Sequence, residues 1–318
     1  MSTSCPPSVP AKTLRANLLL LLAAFIWGVA FVAQKSGLGH VPALTFNAIR
    51  FLLGGAVLLP LALLRGGSES GVPRANRRFW VGGILCGVLL FLAASAQQIG
   101  MIWTTAGKAG FLTALYVVIV PLLSSLAGKP VRAILWLCIV LAVAGLYLLC
   151  LDSTFDVNRG DVLELLCALA FALHILLVDR VSPGVDGIRL SCLQFWVCGI
   201  LSAVAAIPFG EHPTAAGIAA AWLPILYTGI LSCGVAYTLQ VVAQKHTSPT
   251  VASLIMCLES LFALLAGFFI LREPVSLREW SGAALLLCSL LLAQLPAPDS
   301  RSRSWLQKRN RLCWVRRA

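Results

Sequence analysis

Residues 250–271 form an apolar run of 22 residues that contains a single charge, Glu259. A helix needs about 20 apolar residues to cross the hydrocarbon layer of a bilayer, so this run is long enough to span it. Glu259 lies near the middle of the run, where an ionisable side chain is costly unless it faces protein or water. It is therefore a candidate functional residue. Its neighbours on one helical face are mostly small: Ala252, Met256, Ala263 and Gly267.

The composition predicts an integral membrane protein. Hydrophobic residues make up 59% of the chain and charged residues 11%, whereas a soluble domain carries about 25% charge. Because little of the chain lies outside apolar runs, the net charge of +12 is interpreted as a signal for membrane orientation and not for nucleic-acid binding. The 11 cysteines show no CxxC or Cys/His spacing, so neither a metal nor a cofactor is expected.

Turn and charge signals divide the chain into ten apolar runs, which predict an all-α integral membrane fold with ten transmembrane helices. Residues 1–13 are polar and are expected to be disordered, and residues 297–318 form a basic cytoplasmic tail. The ten runs cover residues 14–34, 42–64, 79–100, 105–127, 131–150, 160–179, 188–209, 218–241, 249–271 and 277–296.

The chain contains two diverged copies of one unit, residues 14–150 and 160–296. Equivalent residues in the two copies are offset by 143 or 144 positions. The pairs are Gln97 and Gln240, Ala109 and Ala252, Pro130 and Pro274, and Trp136 and Trp280. Because each copy has five predicted helices, an odd number, the second copy must enter the membrane inverted relative to the first. Inverted repeats are typical of secondary transporters.

The distribution of Lys and Arg predicts that both termini are cytoplasmic. With the N-terminus inside, 18 of the 24 cations fall on the inner side, 5 in the outer loops, and Arg50 lies within a span. We therefore expect a multi-pass protein of the plasma (inner) membrane.

Four segments carry a resemblance to EamA-type permeases of the drug/metabolite transporter superfamily. They are WGVAFVAQKSGL from Trp27, ALTFNAIRFLLGGAVLLPLALL around Arg50, TTAGKAGFLTALYVVIVPLL from Thr104, and ASLIMCLESLFALLAG followed by LREP. The resemblance covers about residues 14–296. It implies two inverted five-helix repeats around a central cavity, and transport, often export, of small organic metabolites such as amino acids.

Arg50 and Asn47 lie three residues apart and share a helix face. A side chain at position 50 leans toward the outer end of its helix, so two interpretations stay open. Arg50 either reaches the outer headgroups as an anchor or ion pair, or it contacts a substrate directly. Glu164 is expected at the membrane interface, near the outer end of its helix.

Glu259 has three interpretations: a coupling proton site, a partner of Arg50 or another donor, or a bridge between helices. An apolar environment favours the neutral carboxyl, and a nearby cation favours the carboxylate. His174 is either a proton relay or a histidine satisfied by a neighbour. Trp27 either lines a cavity or packs between helices. Amides and phenols in apolar helices either line a cavity or bond between helices: Gln97, Gln98, Tyr116, Gln194, Tyr237 and Gln240.

No enzyme motif is present in the sequence, which lacks HExxH, a P-loop and a GxGxxG after a strand. Two function classes stay open. The first is a secondary transporter working by alternating access, with proton coupling as an option. The second is a non-transport membrane scaffold or subunit, in which buried polar groups only hold helices together. A cavity lined by both copies favours the first class. Expected partners are a small-molecule substrate and the bilayer, and a homodimer is left open.

Overall fold

The computed structural model describes residues 11–64, 77–104, 106–129, 131–150, 158–266, 268–269 and 275–295. Regular structure within these ranges is entirely helical. The α-helices are α1 (Ala11–Leu38), α2 (Ala43–Leu64), α3 (Arg77–Trp103), α4 (Ala106–Ala114), α5 (Tyr116–Leu126), α6 (Ala133–Cys150), α7 (Arg159–Val181), α8 (Gly187–Ala206), α9 (Ala215–Ala220), α10 (Trp222–Leu226), α11 (Thr238–Ala243), α12 (Pro249–Met256), α13 (Glu259–Ala266) and α14 (Leu277–Ala293). A π-helical segment, Tyr227–Tyr237, joins α10 to α11.

Eight helical stretches among the described residues are long and apolar enough to cross a membrane. The predicted spans 131–150 and 277–296 correspond to the shorter helices α6 and α14, so the count of ten membrane spans stays a prediction. Helix α1 begins at Ala11, so residues 11–13 are helical where disorder was expected. The rest of the predicted disordered N-terminus, the basic tail and Gly267 lie outside the described residues. The eight stretches are Ala11–Leu38, Ala43–Leu64, Arg77–Trp103, Lys108–Leu126, Arg159–Val181, Gly187–Ala206, Trp222–Ala243 and Pro249–Ala266.

Large apolar side chains cover the outside of the bundle. Leu63 is 71% exposed, Val140 64% and Leu291 68%. Exposure of this much apolar surface to water costs roughly 25 cal/mol per Å². A hydrocarbon environment removes that cost, so the surface fits a protein surrounded by lipid.

The two copies pack with equivalent contacts. Helix α2 packs along α8, and α6 packs along α14. Helix α1 contacts α12, α13 and the π segment, while α7 contacts α4, α5 and α3. The first helix of each copy therefore lies against the third and fourth helices of the other copy. Two copies arranged about a twofold axis would make this reciprocal pattern of contacts.

The contact between α2 and α8 repeats the same relationship at the level of side chains. A Cβ atom at Gly55 would lie 3.1 Å from the Trp196 ring, and one at Gly199 would lie 2.8 Å from Leu52. Gly55 and Gly199 are 144 residues apart, as are Leu52 and Trp196. Each helix therefore presents a glycine where its partner presents a large side chain, which allows the two backbones to approach closely.

Two predicted spans are interrupted at equivalent positions. The span over 105–127 breaks at Leu115, between α4 and α5, and the span over 249–271 breaks between α12 and α13. At these points the backbone forms shorter i→i−3 hydrogen bonds, from Leu115 N to Leu112 O at 3.2 Å and from Leu258 N to Ile255 O at 3.2 Å. The second half of each span begins at Tyr116 and at Glu259.

Candidate functional site

A cavity lies at the junction of the two copies. Its volume is about 40 Å³. The cavity is therefore small, and most of its lining side chains are buried. The lining residues are Trp27, Phe31, Gln34, Arg50, Gln97, Thr113 and Tyr116 from the first copy, and Phe171, Ile175, Ser232, Tyr237, Gln240, Met256 and Glu259 from the second.

Arg50 is the cation of the cavity and is held by two amides. Its Nε donates to Asn47 Oδ1 at 2.9 Å, and Nη1 donates to Gln34 Oε1 at 2.8 Å. Asn47 is fixed in turn, because its Nδ2 donates to the carbonyl of Ala94 at 2.9 Å. The guanidinium also lies 4.8 Å from the ring centroid of Phe51. Nη2 hydrogen-bonds to none of the described residues.

Arg50 is only 2% exposed, so the first of its two interpretations, in which it reaches the outer headgroups, does not hold in this structure. Asn47, Gln34 and the cavity offer the guanidinium nearer polar partners than the membrane surface. Arg50 and Glu259 line the same cavity but form no ion pair with each other, so their pairing, one of the interpretations considered above, does not occur in this structure.

Glu259 is the carboxyl of the cavity and comes from the other copy. It is 6% exposed, and its Oε1 accepts a hydrogen bond from the Tyr116 hydroxyl at 3.2 Å. The helix break before Glu259 places it in the first turn of α13, the end at which the helix dipole favours negative charge. Oε2 hydrogen-bonds to none of the described side chains. Glu259 and Arg50 thus give the cavity one carboxyl and one guanidinium, each with an atom left for a bound molecule.

Aromatic side chains form one wall of the cavity. Trp27 and Tyr237 meet edge to face with ring centroids 4.7 Å apart. The indole Nε1 of Trp27 donates to the carbonyl of Ser232 at 3.3 Å, which ties α1 to the π segment. A π-helical turn leaves backbone groups out of the normal α-helical register and is frequent at functional sites. The wall therefore combines apolar surface with irregular backbone.

The cavity contains most of the residues that the sequence singled out, and four lie outside its lining. Asn47 supports Arg50 from behind, and the Nε2 of Gln98 donates to the carbonyl of Gln34 at 3.4 Å. His174 and Gln194 hydrogen-bond to each other, with 2.9 Å between His174 Nε2 and Gln194 Oε1, while His174 Nδ1 and Gln194 Nε2 are buried without a partner among the described residues. The seven predicted residues that line it are Trp27, Arg50, Gln97, Tyr116, Tyr237, Gln240 and Glu259.

Several lining residues were missed by the sequence analysis. Gln34 was placed at the end of the first apolar run, but α1 continues to Leu38 and keeps it inside the bundle. Positions 27, 31 and 34 share one helical face, and this spacing was the available signal. Thr113, Phe171, Ile175 and Ser232 carry no pattern that distinguishes them from packing residues.

Glu164 does not lie at the interface, and the prediction for it is wrong. Its side chain is 0% exposed and accepts a hydrogen bond from the Thr113 hydroxyl at 2.8 Å. Among the described residues, no group of three or more His, Cys, Asp or Glu side chains could hold a metal ion.

Comparison with known proteins identifies the family. The model of the EamA-like transporter family matches the chain twice, over residues 14–151 and 158–295. An "Uncharacterized transporter" of Archaeoglobus fulgidus is 32% identical over 89% of this chain and 87% of its own length. The "Uncharacterized inner membrane transporter YedA" of Escherichia coli K12 is 24% identical over 85% of this chain and 87% of its own.

A crystal structure shares the fold, with a TM-score of 0.74 over 88% of this chain and 96% of that chain at 20% identity. The predicted resemblance to EamA-type permeases is confirmed, because the family model covers nearly all of both copies. The eight apolar helical stretches indicate a membrane protein, in agreement with the two matches to a transporter family. The chain belongs to the EamA-like transporter family and is a multi-pass membrane transporter.

Proposed function

We propose that the protein is a secondary-active transporter that exports small zwitterionic metabolites, amino acids among them, by alternating access. The observation that carries the proposal is the presence of one guanidinium and one carboxyl in a single cavity between the copies. Arg50 comes from the first copy and Glu259 from the second. A scaffold has no need for such a cavity.

Arg50 suits the carboxylate of a bound solute. A guanidinium forms charge-assisted hydrogen bonds with carboxylates, often two in parallel. Its Nε and Nη1 are engaged with Asn47 and Gln34, which orients the group and leaves Nη2 for a ligand. Glu259 Oε2 suits the ammonium group of the same solute. The rings of Trp27 and Tyr237 suit an apolar substituent.

The narrowness of the cavity supports alternating access. A site of about 300 Å³ or more is usual for a bound small molecule, whereas this cavity has a volume of about 40 Å³. In this proposal the cavity therefore widens to take up solute.

Polar contacts join elements at both ends of α1. At one end, Asn17 Nδ2 donates to Gln294 Oε1 at 2.6 Å and Thr247 bonds to Asn17. At the other end, Lys35 donates to the carbonyls of Met101 and Thr104. In this proposal these contacts break in turn as the cavity opens to one side and then the other.

The proposal includes ten helices in two inverted repeats, residues 14–150 and 160–296, and both termini in the cytoplasm. The equivalent contacts of the copies support a twofold relationship, and the 18-to-5 distribution of cations supports the orientation. Proton coupling is assigned to Glu259, because it is the carboxyl that lines the cavity. A pH gradient across the membrane would then supply the driving force.

A binding screen followed by transport tests the proposal. The purified protein is heated with amino acids, with the matching amines that lack the carboxylate, and with the matching acids that lack the amine. Zwitterions should raise the unfolding temperature, because a ligand that binds only the folded state stabilises it. Stabilising compounds are then tested for movement into proteoliposomes. Stabilisation by uncharged compounds alone, or binding without transport, would contradict the proposal.

The role of Arg50 is tested with Arg50→Ala. A hydrogen bond to a charged group contributes about 1.5–3 kcal/mol, so affinity for the zwitterion should fall by roughly 10- to 100-fold. Arg278→Ala is the matched control, since Arg278 lies outside the cavity and bonds to the carbonyl of Tyr147. Equal affinity in the two variants would remove Arg50 from the site.

A further inference from the structure

Glu164 is a second buried carboxyl, and it has no role in the proposed function described above. Its side chain is 0% exposed. Oε2 accepts one hydrogen bond, from Thr113 Oγ1 at 2.8 Å, while Oε1 is buried without a hydrogen-bond partner. Oε1 lies against Gly100, 2.8 Å from where a Cβ atom would be.

Among the described residues, no cation forms an ion pair with Glu164. On its own helix the titratable neighbours are Asp161 and Cys167. Helix α4 contributes Thr113 and Lys108, and α3 contributes the backbone at Gly100. Lys108 Nζ bonds to Asp161 Oδ2 at 2.6 Å. A buried charge without a partner is costly, and such a group normally becomes neutral instead.

We propose that Glu164 is a proton-binding site that exchanges its proton with the cavity through the hydroxyl of Thr113. This inference rests on the proposed function for its role in transport, but the binding of a proton by Glu164 is measurable independently.

Thr113 has the contacts needed for this exchange. It lines the cavity. Its hydroxyl donates to Glu164 Oε2 at 2.8 Å and accepts a hydrogen bond from Gln97 Nε2 at 3.4 Å. When the carboxylate is charged, Thr113 passes its hydroxyl proton to Glu164 and takes a proton from a hydronium in the cavity, which becomes water. One proton thereby moves from the cavity to Glu164, and the Thr113 hydroxyl is restored. Release follows the reverse path.

The arrangement at Glu164 parallels that at Glu259. Thr113 and Tyr116 lie on either side of the helix break at Leu115, and each donates its hydroxyl to a carboxyl of the second copy. A movement of α4 relative to α5 at this break would therefore change both hydrogen bonds together. In the proposed cycle, protonation of the two carboxyls is linked through one interrupted helix.

Infrared spectroscopy of the purified protein tests proton binding directly. A neutral carboxyl has a C=O stretching band that a carboxylate lacks. We expect a component of this band to be lost in Glu164→Gln and retained in Glu259→Gln. In Thr113→Val this component of the C=O band should move to higher frequency, because the hydrogen bond between Thr113 and the Glu164 carboxyl is lost. Glu279→Gln is the control, since Glu279 caps α14 outside the cavity, and it should leave that component unchanged.

An identical band in the wild type and Glu164→Gln would overturn the proposal. If Glu164→Gln does not fold, the band in Thr113→Val decides, and an unchanged frequency there would also overturn it. In proteoliposomes, Thr113→Val should reduce pH-driven accumulation more than solute exchange, and Thr113→Ser should restore accumulation. Failure of the wild type to accumulate any solute would refute the proposed function while leaving the infrared result to decide on Glu164.

Discussion

The Tyr116 hydroxyl donates a 3.2 Å hydrogen bond to Glu259 Oε1, and the two residues lie 143 positions apart in the chain. The same offset separates Gln97 from Gln240, so Tyr116 and Glu259 are equivalent residues of the two copies. Equivalent residues can touch only near the axis that relates their copies. This hydrogen bond therefore lies at the centre of the contact between the two copies.

Glu259→Gln should separate coupling from binding. The substitution preserves shape but fixes the neutral state and removes the carboxylate proposed to bind the ammonium group, so solute exchange should slow but remain measurable while accumulation driven by a pH gradient is lost. Both rates are measured in proteoliposomes, with Tyr116→Phe as a companion that keeps the carboxyl and removes its donor.

The yield of folded Glu259→Gln distinguishes coupling from structural pairing. Breaking a buried ion pair costs about 3–5 kcal/mol and would lower that yield. Because Glu259 forms no ion pair among the described residues, we expect a yield close to the wild type. Normal gradient-driven accumulation would rule Glu259 out as the coupling site.

Gly199→Ala should destabilise the contact between α2 and α8. The added methyl group would lie 2.8 Å from Leu52 Cγ and 3.0 Å from its backbone nitrogen, so the helices must separate. Overpacking of this kind costs about 1–3 kcal/mol. The unfolding temperature in detergent measures the effect. Gly110→Ala is the control, because its Cβ would meet only Ser260 Oγ at 3.7 Å, and equal unfolding temperatures would contradict this account.

Trp27→Phe should preserve the aromatic wall but release the π segment. The change removes the Nε1 donor to Ser232 O and leaves that carbonyl without its partner from α1. An unsatisfied buried group costs about 1–3 kcal/mol, which thermal unfolding detects. Solute affinity should fall less than in Trp27→Ala, which also removes the ring. The opposite order of affinities would show that the indole nitrogen, and not the ring surface, determines binding.

A topology experiment tests the inversion of the second copy. A reporter fused after Pro296 should be cytoplasmic, and one inserted within residues 152–161 should be external, as expected from the 18-to-5 distribution of cations. A C-terminus on the far side of the membrane would overturn the assignment of five spans to each copy.

Charge and hydropathy carried most of the information that the sequence held about the site. Arg50 and Glu259 stand out because charges are rare in apolar spans, and both line the cavity. Gln194 and His174 also stand out, but they bond to each other, and one sequence cannot distinguish a mutual pair from two cavity residues.

The helix breaks were not predictable from local sequence. Neither Leu115 nor Cys257 is a helix-breaking residue, and Pro121 lies within α5, six residues after the first break at Leu115. These breaks depend on packing between copies, as does the placement of Thr113, whose role requires Glu164 from the second copy. The repeat was visible in the sequence as an offset, but its contacts exist only in three dimensions.

The π segment Tyr227–Tyr237 belongs to the second copy, and its counterpart α3 is α-helical throughout. Two copies with different backbone conformations cannot fully adopt each other's conformations. In the proposed alternating-access cycle, the states open to the two sides of the membrane would then differ in free energy even when no solute is bound. An empty carrier would rest facing one side, and that preference would determine where it first binds solute.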